Sequence, residues 1–280
     1  SRSLTNTRPT PMAHLPLFIL DALLYLALAA VFWPGGRVCC KTEAWHRVLA
    51  LLPLLLHLYL LQGSLLPADG GISLGFSTSL SAMAALTVLF YAMATWFYPI
   101  GGLQGFVLAF AGLAVALHAL MPEGRPMAHG AEPLYLLHLL MAFTAYGLFG
   151  IATLHAVLIA LADRHLHRPV PPRLVADLPP LLTLERLLFR MIEAGFVLLT
   201  LTLVTGISFS ESIFGKPLVV NHMTVFGVLS WLVYCALLVG RRWRGWRGRK
   251  AIHWAVAGFV ALMLSYFGVS FVHEIFLGRA

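Results

Sequence analysis

Charge is what this sequence has least of. Asp, Glu, Lys and Arg together make up 11% of its 280 residues. So few charges cannot give a soluble domain of that size a hydrated surface. With 60% hydrophobic residues and a mean hydropathy of +0.85, the chain is read as a polytopic membrane protein with no room for a separate soluble domain. Cysteine is nearly absent as well: Cys39 and Cys40 are adjacent, Cys235 lies in an apolar run, and no C-x-x-C occurs. Thiol redox chemistry and cofactor attachment through paired thiols are thereby excluded. There is no P-loop and no H-E-x-x-H, so hydrolase readings have no support. The formal charge of +8 does not point to nucleic acid, because Lys and Arg in a membrane chain report topology first. The segment RRWRGWRGRK, residues 241–250, accordingly reads as an anchor in which Arg meets anionic headgroups and Trp243 and Trp246 lie at the interface.

What the chain does have is long apolar runs, each near the roughly 20 residues that cross a bilayer. The spans expected are Leu15–Trp33, Trp45–Leu66, Leu80–Tyr98, Leu103–Met121, a fifth inside Glu132–His167, a sixth ending near Phe209, His222–Gly240 and Ala251–Leu277. Residues 1–11 read as a disordered or non-native tail before Met12, and residues 12–280 as a single transmembrane domain. Of the 19 Lys and Arg, 14 fall in the loops after spans one, three, five and seven. The fold class expected is therefore all-α, with eight transmembrane helices and both termini on the outer side of the membrane.

With that orientation, His118, His138, His222 and His273 lie at outer ends of four different spans, and His57 lies in the outer half of the second. Imidazoles gathered at one depth from several helices suit a metal ion or a haem iron, since neutral imidazole is a common metal ligand. Each alone also reads as an interfacial side chain with a wetted tip. His155, His165, His167 and His253 read as solvated or lipid-facing near the inner surface. A cation or proton-coupled transporter would use the same outer histidines, with Asp21, Glu193 and His57 lining a path. A structural membrane subunit would use none of them.

Specific motifs then narrow the field. The block PPLLTLERLLFRMIEAGFVLLTLTLVTG (residues 179–206), the span SWLVYCALLVG (230–240) with its GWRGRK loop, and ALMLSYFGVSF (261–271) resemble the cytochrome c assembly family, CcsA, CcmC and HemX among its members. The likeness is greatest to its YpjD-type bacterial inner-membrane branch and runs from about Met127 to the C-terminus. In that family an outer-face histidine opens a stretch H-V-x(6)-Y, and His138 and Tyr146 stand at that spacing. The resemblance implies a carrier or assembly factor, not a catalyst, that holds haem at the outer face between two histidines for delivery to apocytochrome c. It implies His138 as one axial ligand and His273, after Tyr266, Phe267 and Gly268, as the other. His222 and His118 are substitutes or partners that orient them. The pocket expected lies between spans five, seven and eight. One departure stands out: residues 210–220, SESIFGKPLVV, lack the tryptophan-rich W-G-x-x-W-x-W-D signature. The expected partners are haem, the lipid bilayer and either another cytochrome assembly protein or an apocytochrome. The expected location is the bacterial inner membrane.

Overall fold

Inside a bilayer no water satisfies a backbone N–H or C=O, so an apolar run of this length must close its hydrogen bonds within itself as a helix. The computed structural model describes residues 11–33, 44–65, 72–97, 101–121, 126–127, 132–165, 181–212 and 222–268. Within them stand eight helices: α1 (Pro11–Val31), α2 (Ala44–Leu65), α3 (Phe76–Phe97), α4 (Gln104–Leu120), α5 (Pro133–His165), α6 (Leu181–Ser212), α7 (His222–Arg244) and α8 (Gly248–Met263). A 3-10 turn, Gly101–Leu103, leads into α4, and a π-helical turn, Leu264–Gly268, ends α8. A two-residue ladder, β1 (Ile72–Ser73) against β2 (Pro126–Met127), is antiparallel, with Ile72 opposite Met127.

Seven of these helices are long and apolar enough to cross a membrane, and α4, with 17 residues, is the shorter one. Its expected start at Leu103 is taken up by the 3-10 turn that Gly101 opens. At α3 the difference runs the other way, since the helix begins at Phe76 and not Leu80. The segment reads as a polar loop, yet Ser77, Thr78 and Ser79 are buried, and the Ser79 and Tyr266 hydroxyls lie 2.8 Å apart. Burial with a partner makes the Ser77 and Ser79 hydroxyls part of the bundle.

The helices pack as two halves joined through α3 and α5. Tyr25, Phe32, Leu54, Val107 and Leu108 fill the first, among α1 to α4. Phe149, Leu188, Ile192, Tyr234, Leu237 and Leu262 fill the second, among α5 to α8. Between membrane helices the drive is close packing, which small residues permit. A Cβ on Gly105 of α4 would stand 2.8 Å from the Phe32 carbonyl oxygen of α1, so only glycine lets these two backbones meet. Outward faces carry Leu20, Leu23, Leu52, Leu55, Val197 and Leu232, exposed as lipid-facing side chains are.

The contacts define two ends. At one, the start of α1 meets the end of α4 (Phe18 on His118), the start of α5 meets the end of α6 (His138 with Thr205), and the start of α7 meets the end of α8 (Met223 with Ser265). This is the histidine end. The other is the arginine end. There the backbone N–H of Gly248, at the start of α8, donates to Glu185 Oε1 at 2.9 Å, and Arg247 pairs with the same carboxylate at 3.4 Å. Trp246 lies against Trp254 with ring centroids 5.2 Å apart, and Arg241 sits 3.7 Å over the Phe189 ring. The Arg- and Trp-rich segment is thus a folded turn held against α6.

Candidate functional site at the histidine end

His138 lies in the second turn of α5, half-buried against α6. Its Nδ1 is 2.8 Å from Thr205 Oγ1, and that hydroxyl donates to the Leu201 carbonyl at 2.8 Å, one turn back along α6. A threonine hydroxyl has a single proton. With that proton on the helix carbonyl, Nδ1–H is the donor to Thr205 and the lone pair of His138 lies on Nε2. That is the tautomer of a metal-ligating imidazole, held through its other nitrogen by a second group. The ring stacks on Tyr135, centroids 6.3 Å apart at 16°, and Gly206 leaves space beside its Cε1.

Eight residues further along α5, Tyr146 meets the end of α8. Its ring contacts Phe267 edge-on, centroids 5.5 Å apart at 82°, and Phe267 makes a similar contact with Phe76 at 6.0 Å. Tyr266 reaches the Ser79 hydroxyl. The turn carrying these residues is π-helical, a distortion often found at functional sites. The Ser265 hydroxyl donates to the Met223 carbonyl at 2.7 Å, which fixes the start of α7 and brings the exposed His222 to the same end. His273 lies outside the described residues, as does most of the 210–220 segment.

His118 does not join this group. It is 4% exposed in the other half of the bundle, with Nε2 3.1 Å from Ser64 Oγ and Nδ1 3.4 Å from Ser77 Oγ. His57 is buried beside it: Nε2 is 2.8 Å from Ser81 Oγ and Nδ1 3.3 Å from the Tyr25 hydroxyl. Histidine depth is legible in a sequence, but the side of the bundle is not. The histidine end therefore holds two separate centres, one around His138 and one around His118 and His57.

One other expectation is corrected. His155 is neither solvated nor lipid-facing; it is 1% exposed, with Nε2 3.0 Å from the Leu184 carbonyl oxygen. At mid-depth Phe149 of α5 stacks on Tyr234 of α7, centroids 3.9 Å apart. An apolar cavity of about 360 Å³ lies between α2, α3 and α5, and its α5 wall is Leu136, Leu139, Leu140 and Phe143. Those residues share the face of α5 opposite His138. Among the described residues, no three of His, Cys, Asp and Glu come together as a metal-ion ligand set. Sequence reasoning missed Thr205, Ser64, Ser77 and Ser81, because a hydroxyl in an apolar helix looks the same whether it bonds its own backbone or a neighbour.

Comparison with known proteins agrees with these motifs. The family described as Cytochrome C assembly protein matches residues 45–277. Inner membrane protein YpjD of Escherichia coli (strain K12) is 31% identical over 271 residues, covering 93% of this chain and 99% of that protein. An uncharacterized 28.8 kDa protein of Azospirillum brasilense is 29% identical over 209 residues, 73% of this chain and 77% of that protein. The cytochrome c biogenesis protein CcsA of Rippkaea orientalis is 32% identical over 127 residues, 40% of this chain and 37% of that protein. No solved structure matches. The match over nearly the whole chain, together with the helices it spans, makes this a multi-pass inner-membrane protein that belongs to the cytochrome c assembly protein family.

Proposed function

We propose that the chain handles haem during cytochrome c-type biogenesis, binding it at the outer face of the inner membrane through histidines and acting as a carrier or assembly factor, not as a catalyst. In this reading α4 completes eight spans, and the histidine end and both termini lie outside. The 14 Lys and Arg that the sequence gathers in the loops and helix ends of the opposite side support that orientation. The observation that carries the reading is the meeting of the two family motifs, His138 to Tyr146 on α5 and Tyr266 to Gly268 on α8, through the contact of Tyr146 with Phe267.

Haem is the cargo, and His138 is its first axial ligand. Thr205 holds the imidazole so that Nε2 carries the lone pair. His273 follows Gly268 by five residues and is the second ligand, with His222 close enough to the same turn to substitute. His118 stands apart, because both of its nitrogens are engaged by serines. Another assembly protein or an apocytochrome supplies the aromatic surface that residues 210–220 lack.

The test is the visible spectrum of the full-length protein purified in detergent and loaded with haem. A Soret band is expected that is lost in His138→Ala and His273→Ala and kept in His118→Ala. Absence of any band after loading, with stoichiometric metal by elemental analysis, would move the chain to the transporter class.

A further inference from the structure

The half of the bundle that the haem reading leaves unused contains a carboxyl group with nothing to hold it. Asp21 is 0% exposed, and neither carboxyl oxygen has a hydrogen-bond partner. Its surroundings are ordered. Phe18, Asp21 and Tyr25 follow one another at i, i+3 and i+7 on the inward face of α1. Phe18 meets His118 edge-on with centroids 5.3 Å apart, and Tyr25 meets His57 edge-on at 5.7 Å. Asp21 therefore sits at the level between two buried imidazoles.

Those imidazoles are linked through two helices. His57 bonds Ser81 and His118 bonds Ser77, and the two serines are one turn apart on α3. His118 also bonds Ser64, two turns from His57 on α2. Two hydrogen-bonded groups, His118 with Ser64 and Ser77 and then His57 with Ser81 and Tyr25, thus follow one another one turn of α3 apart, from the histidine end inward to the turn that carries Asp21.

An ionised carboxylate in this setting, unpaired and unbonded, is costly by several kcal/mol. Either a proton or a cation must accompany it. A hard cation needs about six oxygen ligands, and among the described residues no three of His, Cys, Asp and Glu gather as a ligand set. The other charged or titratable groups near Asp21 are few. On α1 there are His14 and Tyr25, and on α4 there is His118 alone. On α2 His57 faces inward, Tyr59 is turned out at 62% exposure, and His46 and Arg47 stand at the far end of the helix. Tyr91 of α3 lies ten residues beyond Ser81, toward the arginine end.

We propose that Asp21 is a proton-binding site, a carboxyl that carries an exchangeable proton reaching it from the histidine end through His118, His57 and Tyr25. Each relay group takes a proton on one atom and releases one from another. His57 receives at Nε2, on the Ser81 side, and releases from Nδ1 to the Tyr25 oxygen. Tyr25, one turn along α1, passes its own proton to the Asp21 carboxylate once a side-chain rotation brings them together, since no hydrogen bond joins them here. Tyr25 is again a neutral hydroxyl and His57 a neutral imidazole with its proton now on Nε2, a tautomer that must revert before the next transfer, and one positive charge has moved inward to neutralise Asp21.

The full-length protein in lipid vesicles tests this by infrared spectroscopy and by labelling with a hydrophobic carbodiimide, which reacts with protonated carboxyls in apolar surroundings. A protonated-carboxyl band that disappears in Asp21→Asn, and that shifts when water is replaced by deuterium oxide, is expected. Carbodiimide labelling of the Asp21 peptide should fall by about tenfold per pH unit above its titration midpoint. Deuterium exchange of the band should slow on the order of a hundredfold in His57→Phe, and also in the milder Ser81→Ala. An identical spectrum in Asp21→Asn overturns the proposal. So does a wild-type band that never exchanges, which marks a locked structural carboxyl, and so does labelling blocked by sodium at fixed pH, which marks a cation site. None of these readouts involves haem, so their failure leaves the haem reading untouched.

Discussion

Thr205 illustrates how much a single hydroxyl decides. Its one proton goes to the Leu201 carbonyl, and the remaining capacity of the oxygen sets the tautomer of His138. In Thr205→Val the shape survives and the acceptor is lost, so Nδ1 and Nε2 compete for the ring proton. Haem affinity in a titration is expected to fall between about tenfold and a hundredfold, the usual effect of removing a group that orients a ligand histidine. Thr205→Ser should restore it. Stability should change little, since one such bond between membrane helices contributes about 0.6 kcal/mol. His138 was legible in the sequence through its spacing to Tyr146. Thr205 was not, because Thr200, Thr202 and Thr205 all bond a backbone carbonyl four residues back and only one of them also holds a histidine.

Among elements, the turn between α7 and α8 has more internal structure than its reading as a headgroup anchor required. Gly245 and Gly248 have φ of +63° and +56°, a backbone that a side chain strains, and a Cβ at either would meet open space. Gly248→Ala therefore tests conformation alone, and unfolding followed by tryptophan fluorescence should show a loss of about 1 kcal/mol. The close approach of α1 and α4 is a packing test. Gly105→Val places a branched side chain against the Phe32 backbone, and the thermal midpoint in detergent should drop by an amount corresponding to about 1–3 kcal/mol. Helix existence was legible everywhere, because hydropathy and length alone force it in a bilayer. Boundaries failed at α3, where Ser77 and Ser79 are polar residues that belong inside the bundle, and at α4, where a glycine pair opens as a 3-10 turn.

At the scale of the whole molecule, the apolar runs and the uneven placement of Lys and Arg were enough to give an all-helical bundle and an expected sidedness. The division into halves was not legible. Depth along a helix follows from residue number, whereas direction around the bundle follows from which helices pack, so His118 and His138 look equivalent in the sequence and lie in different centres. Sidedness is testable at two exposed positions at opposite ends of α7. His222 begins the helix, and Trp243, 83% exposed, stands at its arginine end. In a chain with Cys39, Cys40 and Cys235 changed to Ser, single His222→Cys and Trp243→Cys variants can be treated on intact cells with a membrane-impermeant maleimide. If the histidine end faces outward, His222→Cys reacts at once and Trp243→Cys reacts only after the inner membrane is permeabilised. The reverse pattern would place the imidazoles on the cytoplasmic side, and haem would then have to be received from within.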